Sequence, residues 1–508
     1  MENIYQFLIG NRASVWETNY FWPFQNTITF SDNHLGASPV YLLGRVLTGE
    51  SDTAYQLWFY FGYFANYLAA YISLSKLGIS RISSAVGAAI FAFALPASAH
   101  VEHSQLHYRF AIPFTLTYFV LFLKYKNWKY LLTAEFWLVW QLFLGVYMGV
   151  FSFFMLLTIG TAFLGYERLD LNNSFLNIAR QFKFDWSDQS PKEKTFFFTG
   201  FLVLASLIGW LFYPYFNAAQ AYGFVRGWNE IYAYLPRFQS YFMSDNSKIW
   251  GDLSANLLIN LPVRHEHQIF IGLVPLTLSV AGILVGARSK DRFIISVLLF
   301  SLIIAILLTI TAGGYSFWYI FHWMPIVSAI RVVTRIVLVF LFPIAFFAGI
   351  FLDQIAKSKT LISKVIIFFS IALFLLEASL IDISRSEKSE WRDRITEATQ
   401  DLPADLKGKQ VIFSAQKDGL FYIWELDAMW VASSLGLQTL NGYSGNFPPG
   451  YRIIYGDDCS ELPRRIVSFL DFSGKSGDLD TYRSLINQVT PMGFDDCDPD
   501  WFDAPPQK

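Results

Sequence analysis

Over most of this chain, apolar residues come in long unbroken runs instead of the spaced patterns of half-buried soluble helices or strands. The runs lie at 53–77, 82–99, 109–123, 129–145, 146–165, 195–213, 269–287, 293–311, 331–352 and 365–382. A helix needs roughly 20 apolar residues to cross a hydrocarbon core of about 30 Å. The pattern predicts about ten transmembrane helices. The block 128–165 is continuous, and it is read as two short helices turning at Gly145. Polar segments flank or interrupt the runs at 1–52, 214–268 and 383–508.

Basic residues orient this array. One set of loops carries Lys76 and Arg81; Lys124, Lys126 and Lys129; Arg168, Arg180, Lys183, Lys192 and Lys194; Arg288, Lys290 and Arg292; and Lys357, Lys359 and Lys364. By the positive-inside rule these loops are cytoplasmic. The three long polar segments are then extracytoplasmic. Composition agrees with a bilayer setting: 54% of residues are hydrophobic and 15% are charged, where a soluble domain has about 25% charged. A net charge of −2 gives no sign of a nucleic-acid partner.

The expected fold class is therefore mainly α. It is a polytopic membrane helix bundle at 53–382, with an outer loop at 214–268 and a small extracytoplasmic α/β domain at 383–508. In that domain Val411-Ile412-Phe413 reads as a buried strand and Tyr422 to Leu435 as a helix. Cys459 and Cys497 both lie there, as a disulfide or as two free thiols. Residues 1–52 form a first outer segment with an amphipathic stretch, Leu35 to Leu47, suited to the interface. They show no signal-peptide pattern, so a helix is expected upstream of Met1.

In this threading all seven histidines, His34, His100, His103, His107, His265, His267 and His322, fall on the outer face. The densest cluster is His100-Val-Glu102-His103-Ser-Gln-Leu-His107-Tyr-Arg109. If helical, it puts His100, His103 and His107 on one face. Three imidazoles and a carboxylate suit Zn²⁺ or Mn²⁺, a general base, or hydrogen bonds to a diphosphate or sugar. A polar interfacial loop with its histidines at headgroup level is the alternative. Arg264-His265-Glu266-His267-Gln268 is a second cluster, and a charged interfacial collar is its plain reading. Asp32-Asn33-His34 is a third, where Asx turn chemistry alone is the alternative. Arg331 and Arg335 stand four apart before an apolar run. Arginine matches phosphate bidentately, and snorkelling to lipid headgroups is the alternative. Ionisable residues deep in the runs are few, chiefly Glu135 and Glu377, which argues against an ion-coupled transporter.

Five segments in order resemble one known group. They are Ser31-Asp32-Asn33-His34-Leu35-Gly36; the His100–Arg109 loop followed by Pro113; Phe270-Ile-Gly272-Leu-Val-Pro275; Ile330-Arg331-Val-Val-Thr-Arg335; and Asn441-Gly442-Tyr443-Ser444-Gly445-Asn-Phe-Pro448-Pro449. Together they resemble the GT-C-fold membrane glycosyltransferases, within them the bacterial YfhO-like branch. Each motif is loose, and their order carries more than any one of them. The resemblance implies a bacterial inner-membrane enzyme. Its donor is a polyprenyl-phosphate-linked sugar, and its acceptor is an envelope glycan, lipid or protein on the extracytoplasmic face. It implies a carboxylate of the first outer loop as general base, for which Asp32 is first and Glu17 second. It implies donor and acceptor contacts from His34, His100, Glu102, His103, His107, Arg109, His265, Glu266, His267, Arg331, Arg335 and Tyr443. No cofactor is fixed by the sequence, and a divalent metal, Mn²⁺ or Mg²⁺, is the candidate. The alternatives are a non-catalytic lipid-linked saccharide transporter and an envelope-assembly scaffold.

Overall fold

The structure is a computed structural model. It describes all residues except 170–171, 258–260, 290, 325–326, 404–405, 407, 416–419, 452–458, 494–496 and 507–508. Of the inner-loop charges, Lys290 lies outside the described residues. The chain forms two compact units that do not follow sequence order. The larger comprises Asn33–Leu211 and Val225–Ser384, and the smaller comprises Met1–Asp32, Phe212–Phe224 and Arg385–Lys508.

The larger unit is helical. Its main helices are α1 (Ser38–Thr48), α2 (Ser51–Lys76), α3 (Arg81–Phe93), α4 (Ala111–Tyr125), α5 (Trp128–Leu144), α6 (Val146–Leu169), α7 (Pro191–Tyr222), α8 (Leu273–Gly286), α9 (Arg292–Thr309), α10 (Val337–Lys357) and α11 (Leu361–Ser379). The last residues of α7, from Phe212, belong to the smaller unit. Every predicted apolar run falls on a helix, and the block 128–165 breaks at Gly145. Among the described residues seven stretches are long and apolar enough to cross a membrane. They are Arg81–Ala99, Ser104–Tyr125, Val146–Leu169, Pro191–Tyr222, Arg292–Thr309, Val333–Lys357 and Leu361–Ser379. Of the remaining three runs, α2 is diluted by tyrosines, Asn66 and serines, α5 has 17 residues and α8 has 14.

Helix α10 is the buried centre, covered on nearly every side from Val337 to Leu352. Against it α8 presents Pro275, Leu278, Ser279, Gly282 and Gly286, a mostly small-residue stripe that lets the two backbones close together. A Cβ at Gly282 would lie 1.8 Å from the Phe347 carbonyl oxygen, so no larger residue fits. Between α6 and α9 the buried hydroxyls of Thr158 and Ser301 meet at 3.0 Å. A buried carboxylate closes the start of α8. Glu377 accepts from the Leu273 and Val274 N–H groups at 2.7 and 3.1 Å and from Trp250 Nε1 at 2.7 Å. First-turn amides lack helical partners, and a negative group there also suits the helix dipole. The outer helices differ. Phe196, Phe198, Leu202 and Trp210 on α7, and Leu361, Ile362 and Phe368 on α11, are exposed. Apolar helices of spanning length with apolar outer faces are those of an integral membrane protein.

The smaller unit is built on three parallel strands, β1 (Val411–Ser414), β2 (Gln438–Thr439) and β3 (Val489–Met492), in the order β2-β1-β3. Parallel sheets need both faces covered, and alternation along β1 supplies this. Val411 and Phe413 pack with Leu462, Ile466, Tyr482 and Ile486, while Ile412 packs with Ala428, Val431, Ala432 and Met492. The outer edge of β2 is closed by the start of the chain. Thr439 N donates to Asn19 O at 2.7 Å, Trp22 N to Thr439 O at 3.0 Å, and Phe21 N to Asn441 O at 2.9 Å. That pairing satisfies an edge that would otherwise expose its backbone groups. Rings then bind the three segments together. Phe21 meets Phe30, Phe447 and Tyr451; Phe24 meets Phe469 and Phe472; Phe30 meets Tyr222 and Phe224. This is why residues 1–32 group with the tail and 33–52 with the bundle.

Cys459 and Cys497 form a disulfide across a sequence separation of 38. Closing a loop of that length removes unfolded-state entropy worth about 4 kcal/mol. The Cys459→Ser/Cys497→Ser protein is therefore expected to unfold at lower temperature than the oxidised parent, and adding reductant to the parent should reproduce the loss. Equal melting temperatures in all three would contradict this.

Candidate functional site

Four of the singled-out side chains meet in the larger unit, on three chain segments. His100 and His103 follow the short helix Leu95–Ala99 that continues α3. Glu266 is in the one-turn helix Arg264–His267 before α8, and Arg335 is in the turn Val333–Ile336 before α10. Arg335 grips Glu266 with two parallel bonds, Nε to Oε2 at 3.1 Å and Nη2 to Oε1 at 2.5 Å. Both side chains are buried. His103 Nε2 lies 3.2 Å from Glu266 Oε1, and His100 Nε2 lies 3.5 Å from Oε2. His100 Nδ1 faces the Pro96 carbonyl at 2.9 Å. A carbonyl only accepts, so Nδ1 is the donor in that contact. The Tyr147 ring lies under Arg335 at 5.4 Å.

Burial pushes the Glu266 carboxyl up. The hydrogen bonds of His100 and His103 and the charge of Arg335 outweigh it and hold the group well below the usual carboxylate range. Glu266 is thus a fixed anion, too weak a base to take a proton near neutrality.

Arg331 takes a different partner. Its Nη1 meets Glu230 Oε1 at 3.1 Å, its N–H donates to the Tyr147 hydroxyl at 3.0 Å, and it lies over the Tyr234 ring. Glu230 is shared with Arg226 at 3.2 Å. The side chains of Arg331 and Glu230 are about a third exposed, at 32% and 34%. The two arginines therefore do not act from one helix face. The chain between them is an irregular turn, and each is drawn to its own acid. Glu230 and Tyr147 were not among the candidates from sequence. The Arg226–Glu230 spacing of four was the available signal.

The other candidates lie elsewhere. The segment from His100 to Arg109 is not a helix but a turn and a three-residue 3₁₀ piece, Ser104–Leu106, so His107 parts from its neighbours. Its ring stacks on Phe59 at 4.4 Å and Nε2 faces the Phe59 carbonyl at 2.6 Å. A Cβ at Gly62 would strike that ring. Arg109 is buried beside it. His267 is buried between Ser240 Oγ at 2.8 Å and the Ala233 carbonyl at 3.0 Å, and burial lowers it to about 4. Arg264 is tied to Asp245 at 2.7 and 2.8 Å. Glu102 and His265 are exposed. Asn33 makes the Asx turn, its Oδ1 accepting from Leu35 N at 2.9 Å, and His34 follows edge-on to Trp58. Asp32, Glu17 and Tyr443 belong to the smaller unit. There Tyr443 lies near Tyr422, and its neighbour Asn441 is structural: Nδ2 donates to Ser414 O and to Glu425, and Oδ1 accepts from Ser414 N.

Among the described residues no group of three or more His, Cys, Asp or Glu is placed to hold a metal ion. Glu266, the carboxylate nearest two imidazoles, is already neutralised by Arg335, and a cation there would face the guanidinium. A cavity of about 780 Å³ lies away from this cluster, where α5 and α7 begin, lined by Trp128, Leu132, Phe196 and Val203 among others. Compared with protein-family models and with curated proteins, the chain matches none.

Two outcomes follow. Removing one partner of a buried pair strands the other, at a cost of about 3–5 kcal/mol. Glu266→Ala should destabilise the protein by that order, and adding Arg335→Met should recover most of the loss; additive losses would refute the pairing. Acid should also unfold the protein in two stages. His267 binds its proton more readily unfolded, at 6.5, than folded, at about 4, so stability falls as pH drops through that window. Glu266, depressed in the fold from 4.5, adds a further fall below 4.5. Melting curves against pH should show both, and His267→Gln should shrink the first, to which His34, lowered by burial to about 3, also contributes.

Proposed function

We propose that this protein is a membrane glycosyltransferase of GT-C-like architecture, allied to the bacterial YfhO-like branch. It moves a sugar from a polyprenyl-phosphate donor to an envelope acceptor on the extracytoplasmic face of the inner membrane. One observation carries the reading. Two arginines, two carboxylates and two histidines are gathered from distant parts of the chain where α8 and α10 begin. Such a concentration of charge in an apolar bundle is costly and marks a working site.

The parts take distinct roles. The Arg331–Glu230 pair is partly exposed and weakly held, so a lipid phosphate can displace Glu230. Arg331 Nε has no hydrogen-bond partner among the described residues and is available to that phosphate. Arg335 stays with Glu266, and together they hold His103, which is 33% exposed, by its Nε2. The resemblance supplies a carboxylate of the first outer segment as base for the acceptor hydroxyl, Asp32 first and Glu17 second.

The test is product analysis by mass spectrometry on the purified protein supplied with polyprenyl-phosphate sugars. Wild type should form a new glycosidic bond. Arg331→Ala and Asp32→Ala should each lower its rate about 100-fold or more while inserting normally. Translocation of the lipid-linked sugar without a new bond would favour a transporter, and neither activity would favour a scaffold.

A further inference from the structure

Arg109 poses a problem that Arg335 does not. It is 2% exposed and stands immediately ahead of α4. Its backbone is firmly placed. The N–H donates to Asn66 Oδ1 on α2 at 2.8 Å, and the Asn66 amide holds the His107 carbonyl at 2.8 Å. The side chain is less well served. Nη1 donates to the Leu106 carbonyl at 3.2 Å, and the group lies 5.8 Å from the centre of the Phe91 ring. Nε and Nη2 are shut off from solvent and have no hydrogen-bond partner among the described residues.

Burying a cation without a counter-charge costs several kcal/mol. The N-terminal end of a helix adds to that cost, since the dipole there disfavours positive charge. The two unpartnered nitrogens are the adjacent pair that meets two oxygens of an oxyanion side by side. In Arg335 the same edge, Nε and Nη2, is filled by the Glu266 carboxylate. In Arg109 the edge has no acid on it among the described residues.

We propose that Arg109 is an oxyanion site that takes one phosphate group, from a monoester or a diphosphate, on its Nε–Nη2 edge. The start of α4 adds a favourable field for that anion. A phospholipid or prenyl headgroup and a free phosphate share this chemistry. The site is separate from Arg331 and stands whether or not the protein transfers sugar.

Thermal unfolding of the full chain in detergent tests it, with geranylgeranyl monophosphate in one arm and inorganic phosphate and diphosphate in the other. At least one ligand should raise the melting temperature of wild type. Stabilisation by the prenyl phosphate alone assigns the site to a membrane headgroup, and stabilisation by the inorganic ions as well assigns it to free phosphate. In an Arg331→Gln background, where the contact proposed above for the lipid phosphate is gone, Arg109→Met should abolish the shift, while the ligand-free melting temperature of Arg109→Met alone should equal or exceed that of wild type, because the stranded charge is gone. Arg331→Gln should keep the shift. Arg109→Lys, which has charge without the fork, should weaken binding roughly tenfold or more. The proposal is overturned if no phosphate stabilises wild type or if Arg109→Met in the Arg331→Gln background responds as wild type does. It is likewise overturned if Arg109→Met fails to fold and Arg109→Lys binds undiminished. Sugar transfer is read separately, so failure of one idea leaves the other standing.

Discussion

A guanidinium and a carboxylate buried together must hold each other, because neither can be hydrated where it stands. Arg335 and Glu266 are such a pair, and much of the larger unit is arranged around them. Glu266 leads into α8 and Arg335 into α10, the two helices whose backbones approach closely at Gly282. The pair thus pins the entrances of two helices that small residues pin further along. It also fixes the turn after α3, since His100 and His103 both reach the same carboxylate. Ionisation of Glu266 and the geometry of three chain segments are therefore one condition.

The smaller unit repeats the device with different parts. Arg465 is buried against Glu425, and the carboxylate also accepts from Asn441 Nδ2 at 3.0 Å and Gly442 N at 2.8 Å. Asn441 in turn closes the end of β1 through Ser414. Tyr451 covers the guanidinium, its ring centre 4.5 Å away. Here too a buried charge pair is supported by hydrogen bonds around it, and Arg465 Nη1 also reaches the Leu440 carbonyl at 3.4 Å and the Tyr451 hydroxyl at 3.3 Å. Asn441 and Gly442 of the Asn441 to Pro449 motif that stood out in the sequence are explained by this packing, while Tyr443 is exposed.

Arg109 gains its meaning by contrast. Arginines are rarely buried. Those of the two pairs, Arg335 and Arg465, carry a carboxylate on the guanidinium, and Arg331 carries one nearer the surface. Two nitrogens of Arg109 have no hydrogen-bond partner among the described residues, and that contrast is what the proposed oxyanion site rests on.

The run pattern by itself determined the helices, because crossing hydrocarbon demands length and apolarity and little else. It placed the break at Gly145 and the buried strand at Val411 to Phe413 for the same local reasons. It did not determine that residues 19–22 would close the edge of β2, since strand pairing across the whole chain leaves no periodic trace. Nor could it say which of the clustered histidines would act together. His100, His103 and His107 are nearly contiguous, yet Gly62 and Phe59 on α2 claim His107, while Glu266, far along the chain, claims the other two. Spacing of four suggested a joint role for Arg331 and Arg335, but Glu230 and Glu266 divide them. Local sequence specifies which segments leave water; only tertiary structure decides which buried charges find each other, because a desolvated charge answers to whatever partner packing brings within reach.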